Sequence, residues 1–392
     1  MLSVFNLARK SVGRLAAAVA TVALAACVPA TSPTGGGPSI DTSAPVPVAL
    51  LVPSGSGQAS DELLATSLQN AARLAISDLG NVKIDLRVYP TGGQAGQAQA
   101  MAMKAVDEGA KIILGPVFAG EANAAGVAVA SRGVNVLSFS NNTDIAGGNV
   151  FVLGPTFQNT ADRLASFAVR TGNTRIMVVS DQNPAGELGK TAIQQGVGRA
   201  GGTVVATAAY EFSQNGIVNA APGIAKTAKE TGAQALFLTA DTAGALPLLS
   251  QLLRDNGLDA GTAKFIGLTR WDIPSATLAL PGVQGGWFAM PDQGLNQQFQ
   301  ARYQTAFGAA PHPIAGLAYD GIAAIGALVK QGKSNALTTT ALTQGSGFVG
   351  VNGIFRLRPD GTNERGLAVA QISNNQLTII DPAPKSFAGA GF

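Results

Sequence analysis

The chain has 392 residues, 46% hydrophobic and only 12% charged, with a formal net charge of +3 and a single cysteine. That is enough apolar material for two cores of ordinary size, while one cysteine excludes an internal disulfide framework. The small net charge gives no electrostatic footprint for nucleic acid or anionic lipid, so neither is an expected partner.

Arg9, Lys10 and Arg14 precede an apolar stretch from Leu15 to Leu24 and then small residues, the three parts of an export signal. The apolar stretch is too short to span a bilayer. Leu24-Ala25-Ala26-Cys27 resembles a bacterial lipobox. The resemblance implies cleavage before Cys27 and acylation of that residue, with each buried methylene contributing roughly 0.8 kcal/mol to anchoring. Residues 1–26 are therefore expected to leave as a lipoprotein signal peptide. Its three cations go with it, so the basic residues that remain equal the 23 acidic ones. Val28 stands where an Asp would resemble an inner-membrane retention signal, so a periplasmic protein anchored to the outer membrane is expected, touching lipid through its anchor alone. Residues 27–45, rich in Pro, Gly, Ser and Thr, read as a flexible tether.

From Val46 an alternation of strand and helix begins. Val46 to Val52 is an apolar run of strand length, stopped by Pro53-Ser54-Gly55-Ser56-Gly57. Ser60 is placed to cap a helix in which Leu64, Leu68, Ala71, Ala75 and Leu79 recur every three or four residues. Strands follow at Val82–Tyr89, Lys111–Leu114 and Val134–Phe139, separated by helices at Gly96–Glu108 and Glu121–Ser131. Strands joined by helical crossovers run parallel, and their near-continuous apolar character says that both faces are covered.

After Phe151–Pro155 the cycle restarts, with strands at Arg175–Ser180, Thr203–Tyr210, Ala235–Thr239 and Lys264–Leu268. Helices fill the intervals at Asn159–Arg170, Gly186–Ala200, Ala220–Thr231 and Gly244–Asn256. A strand at Gly285–Met290 and helices at Leu295–Phe307 and Ile314–Lys330 come next. Gly353–Leu357, Leu367–Ile372 and Gln376–Ile380 then read as an antiparallel meander, with turn chemistry at Pro359-Asp360-Gly361 and Asn374-Asn375. The restart predicts an α/β fold of two doubly wound parallel-sheet lobes.

The phrases VALLVPSGSGQ, AARLAISDLG, AVDEGAKIILGPVFAGEANAAG, RGVNVLSFSNN and IFRLRPDGTNERGLAVAQI, in this order, resemble the type I periplasmic solute-binding proteins of the Leu/Ile/Val-binding kind. The resemblance spans residues 46 to 381 and includes the penicillin-binding-protein activator lipoproteins. It implies a hinge of three crossing segments, near Gly154-Pro155, Phe288–Pro291 and Gly350–Gly353. Lobe one is then 46–155 plus 291–350, lobe two 156–290 plus 351–381, and 382–392 a tail.

Catalysis has little to build on. The single histidine, His312, lies in Pro311-His312-Pro313, so neither a Ser-His-Asp triad nor a His/Cys zinc site is credible. No enzyme, metal or other cofactor is expected. The run Pro184 to Thr191 looks like a phosphate loop but has Pro where Gly is needed, and Gly196-x-Gly198-x-x-Gly201 falls at a helix end rather than after a strand.

In open parallel sheets ligands sit beyond the carboxyl ends of the strands. Lobe one offers Ser54, Phe118, Ser138, Ser140 and Asn141 there; lobe two offers Asp181, Asn183, Asp241, Arg270 and Trp271. A guanidinium at Arg270 suits a carboxylate and an indole at Trp271 offers a stacking face, with a place in the lobe's own core as the alternative for Trp271. Asp241 suits an ammonium or, alternatively, a helix cap. Amino-acid receptors of the resembled family often carry hydroxyl residues after the third strand, where this chain has Val117 to Glu121. Two functions follow from the resemblance. One is a receptor that closes on an amino acid or peptide-like solute for an ABC permease; the other is an activator that contacts a peptidoglycan synthase.

Overall fold

The run Val46–Val52 forms β1, buried along almost its whole length, at the second position of the five-stranded sheet of lobe one. The computed structural model describes residues 37–387 apart from Ala260, so the expected signal and Cys27 lie outside the described residues. Around β1 stand β2 (Ile84–Pro90), β3 (Ile112–Leu114), β4 (Val136–Ser138) and β5 (Val150–Val152), in the order β2-β1-β3-β4-β5. Every neighbouring pair is parallel. Helices α1 (Ala59–Asp78), α2 (Ala95–Asp107) and α3 (Ala119–Val129) make the crossovers.

Helix α1 buries Leu64, Leu68, Ala71 and Ala75, the stripe its periodicity predicts. Its start differs from the expected one. Gln58 occupies the cap position, Ser60 falls inside the first turn, and the Glu62 side chain turns back to accept the Gly55 N–H at 2.6 Å.

Lobe two is a seven-stranded sheet in the order β15-β14-β10-β9-β8-β6-β7. Its strands are β6 (Arg175–Asp181), β7 (Thr203–Tyr210), β8 (Ala235–Leu238), β9 (Lys264–Gly267), β10 (Trp287–Met290), β14 (Ala368–Ser373) and β15 (Gln376–Asp381). The first five pair in parallel, whereas β14 and β15 are antiparallel additions. Helices α4 (Phe157–Arg170), α5 (Pro184–Arg199), α6 (Gln214–Glu230) and α7 (Leu246–Asp255) cover both faces, and the buried residues form one apolar cluster on each side. Among the described residues no helix is long and apolar enough to cross a membrane.

The chain returns to lobe one with α8 (Gln293–Phe307), α9 (Gly316–Val329) and the short α10 (Thr339–Leu342), whose apolar residues join the core around β1. The expected meander is corrected here. Residues Gly353–Leu357 form β12, which pairs not with β14 but with β11 (Phe348–Gly350) and β13 (Asn363–Arg365) in a separate three-stranded sheet. Phe355 and Leu357 pack into the lobe-one core, and the Val152 N–H and the Asn363 side chain tie the same hairpin to β5. Residues 351–365 therefore pack with lobe one, and the third crossing falls at Gly366, not at Gly350–Gly353. β11 and β13 have only three residues each, too few to show a strand alternation in the sequence, which is why the meander looked continuous.

Candidate functional site

The hydroxyls that end the lobe-one strands are engaged inside the lobe. Ser138 is fully buried; its hydroxyl donates to the Pro116 carbonyl at 3.0 Å and accepts the Ser140 N–H at 3.1 Å. The Ser140 hydroxyl accepts the Asn142 N–H in turn. These bonds hold the two turns after β3 and β4 against each other. Ser54 is half-buried in the turn after β1 and Asn141 is exposed. Phe118 opens α3 with 41% of its surface exposed, an uncommon position for a phenyl ring.

Just beyond it Glu121 is buried, and both carboxylate oxygens lack a hydrogen-bond partner. Loss of water pushes this carboxyl above the ordinary carboxylate range, against the opposing influence of the Thr91 hydroxyl and the Phe118 N–H. A raised acid contributes stability that is complete below the ordinary range and is lost as pH climbs through the raised value. Glu121→Gln should therefore raise stability near neutral pH by about 1 kcal/mol and flatten the pH dependence in that window. Chemical denaturation of both proteins across pH checks this; an unchanged slope would sink it.

Lobe two shows the same economy. Asp181, buried at the end of β6, accepts from the Tyr210 hydroxyl and, at 3.0 Å, from Thr239. Burial, followed by that carboxylate, drives the Tyr210 phenol well above its usual range. Asn183 caps α5 by accepting the Gly186 N–H at 2.7 Å. Asp241 closes a turn onto the Gly244 N–H; it is neither a free counter-ion nor a helix cap, because Ala245 holds the cap position of α7.

Trp271 overturns an expectation. The indole is fully buried in the lobe-two cluster, and it lies directly over Gly267 and Gly286, where any side chain would occupy the volume of its rings. It offers no stacking face, because it plugs the gap that two glycines leave between β9 and the entry to β10. Arg270 points the other way. Its Nε and Nη2 grip both oxygens of Asp272 at 2.9 and 2.5 Å, and its side chain is 37% exposed.

The residues the fold does bring together lie between the lobes, where the crossings converge. A cavity of about 870 Å³ is walled on the lobe-two side by Leu268, Thr269, Arg270 and Ile273, and at its base by Phe157, Met290 and Pro291. Its lobe-one wall is Asn296, Gln297, Gln300 and Gln304 of α8, with Ile314. A smaller cavity of about 340 Å³ on the other side of Phe157 is lined by Asn141 to Asp144 of lobe one and by Leu188 and Thr191 of lobe two. Of the ten expected ligand residues, Arg270 lines the first cavity and Asn141 the second; Ser54 and Phe118 line neither. The missed residues had a partial signal. Asn296, Gln300 and Gln304, spaced by four, put amides on one face of a helix whose buried residues are Phe299 and Tyr303.

The base of the larger cavity is fixed by an ion pair. Asp320 of α9 is fully buried and accepts from Arg365 Nη1 at 3.3 Å and from the Val351 N–H at 2.7 Å. Arg365, equally dry, donates through Nη2 to the Leu153 carbonyl and lies 5.3 Å over the Phe355 ring. One guanidinium thus joins the first crossing, the third crossing and α9.

A family model described as periplasmic binding protein matches residues 45–376. Among solved structures the chain is similar to a branched-chain amino acid ABC transporter periplasmic ligand-binding protein from Burkholderia xenovorans (18% identity, 87% of this chain and 96% of that one, TM-score 0.65). It is also similar to an ABC transporter substrate-binding protein from Desulfitobacterium hafniense in complex with Leu (16%, 86% and 100%, 0.60). A third is a solute-binding protein of an ABC transporter from Rhodopseudomonas palustris in complex with 3,4-dihydroxybenzoic acid (18%, 87% and 98%, 0.54). At these identities the likeness establishes the fold. A search of curated proteins finds no match. The two wound lobes, the three crossings and the match over most of the chain agree: the chain belongs to the periplasmic binding protein family.

Proposed function

We propose that the protein is an extracytoplasmic solute receptor that closes its two lobes over a small organic molecule and hands it to an ABC permease. The observation that carries this reading is the 870 Å³ cavity, walled by both lobes and floored by the crossings that would let them move. Exposed apolar side chains support closure. Phe118 on lobe one and Leu188 and Ile273 on lobe two are well exposed at the strand ends, and covering them adds to the stability of a closed state that a solute selects. The similar structures are binding proteins of ABC transporters, which supports a permease as partner over a peptidoglycan synthase. Those structures hold solutes as unlike as leucine and a dihydroxybenzoic acid, so an amino acid or a peptide-like molecule is one class among several that the fold accepts.

The lipobox at Leu24–Cys27 supports a periplasmic protein anchored by lipid, with Val28 favouring the outer membrane. Fatty-acid labelling that persisted in Cys27→Ser would rule the anchor out. The receptor reading is tested by thermal shift against amino acids, short peptides, organic acids and peptidoglycan fragments. A true solute at a hundredfold excess over its Kd should add about 2.7 kcal/mol of stability and compact the protein in solution scattering. A folded protein silent across the panel would contradict a receptor.

A further inference from the structure

The structure assigns the cavity to an apolar carboxylate that carries no ammonium group, an inference that rests on the receptor reading and narrows it. None of the residues lining the cavity is an aspartate or a glutamate, whereas two arginines, Arg270 and Arg365, reach it. Their partners Asp272 and Asp320 lie outside the lining, so the cationic halves of two ion pairs face the solute and the anionic halves face protein. Of the acidic groups at the strand ends, Asp181 is bonded to Tyr210 and Thr239, Asp241 is folded onto Gly244, Glu121 lines neither cavity, and Asp144 lines only the smaller one.

An amino acid in this space would bury its ammonium with no counter-charge. The amide oxygens of α8 can accept hydrogen bonds, but they do not replace a carboxylate. A carboxylate meets the opposite situation. Among the described residues Nη1 of Arg270 has no protein partner, because the grip on Asp272 uses Nε and Nη2. The Thr269 hydroxyl beside it is also without one. Around this polar corner the walls are Phe157, Leu268, Ile273, Met290, Ile314 and Leu317, which suit a ring or a branched hydrocarbon body. The α8 amides opposite can read hydroxyl or carbonyl groups on that body.

Matched ligands test this on the full chain in detergent by calorimetric titration: 3-phenylpropionate against phenylalanine, 4-methylpentanoate against leucine, and each acid against its neutral amide. The acids should bind, the α-amino counterparts about 100-fold more weakly or worse, and the neutral amides about 10-fold more weakly. Arg270→Gln should remove the preference for acid over amide, the acid losing about 10-fold in affinity; if that variant fails to fold, the acid and amide comparison on the native protein still decides. Amino acids binding as tightly as their acids would overturn the ammonium argument, and amides binding as tightly as acids would overturn the carboxylate. Silence from the acids with binding of another solute class overturns this inference and leaves the receptor standing. Silence from every solute overturns both.

Discussion

Asp320→Ala should destabilise the protein by about 3–5 kcal/mol, because it strands the Arg365 guanidinium in a dry environment with no counter-charge. Both side chains are almost inaccessible, and the carboxylate also accepts the Val351 N–H, so the variant loses a backbone anchor as well. Water cannot relieve the arginine without opening the junction between α9 and the crossings. The measurement is a denaturant unfolding curve, in which the midpoint falls while the slope stays unchanged. The companion variant is the double replacement Asp320→Leu with Arg365→Met, which removes both charges and should recover most of the loss. A single variant as stable as the parent, or a double variant no better than the single, would show that the pair is not what holds this junction.

The second large effect is expected at Trp271. Trp271→Ala should cost about 3–5 kcal/mol through the void it leaves, since the ring is completely enclosed and the glycines beneath it present no atoms that could fill the space. Trp271→Phe should lose clearly less. Its smaller ring still covers the glycines, and the indole Nε1 that it removes has no hydrogen-bond partner, so no bond is given up. Solute affinity measured on the folded fraction of Trp271→Phe should stay within a few-fold of the parent. A Trp271→Ala protein with an unchanged melting temperature and no solute binding would return the indole to the cleft.

The two cases mark what the sequence could and could not reveal. The lobes were legible because continuous apolar runs such as Val46–Val52 and the stripe of α1 report burial on both sides of a layer. The first crossing was legible because strand and helix signals restart after Leu153; the second was placed by the family resemblance alone. The β11-β12-β13 sheet was not, since β11 and β13 have three residues each and carry no alternation that marks them as strands. At the site, residue type alone identified strand ends but not the direction a side chain takes. Arg270 and Trp271 are adjacent, and one faces the cavity while the other fills the core. Asn183 and Asp241 have the chemistry of ligand groups and spend it on local backbone. The residues that wall the cavity are mostly apolar or amide side chains, which raise no alarm until the lobes are placed face to face.

The two walls of the cavity also differ in how they are held. On the lobe-two side, Leu268 to Ile273 are carried by the indole that plugs the sheet, so their backbone path is dictated by packing. On the lobe-one side, α8 inserts Phe299 and Tyr303 into the core and leaves Gln297, Gln300 and Gln304 exposed, where replacement costs the fold little. A receptor made this way can be re-specified for a new solute by rewriting a few surface glutamines, without disturbing the scaffold that closes on it.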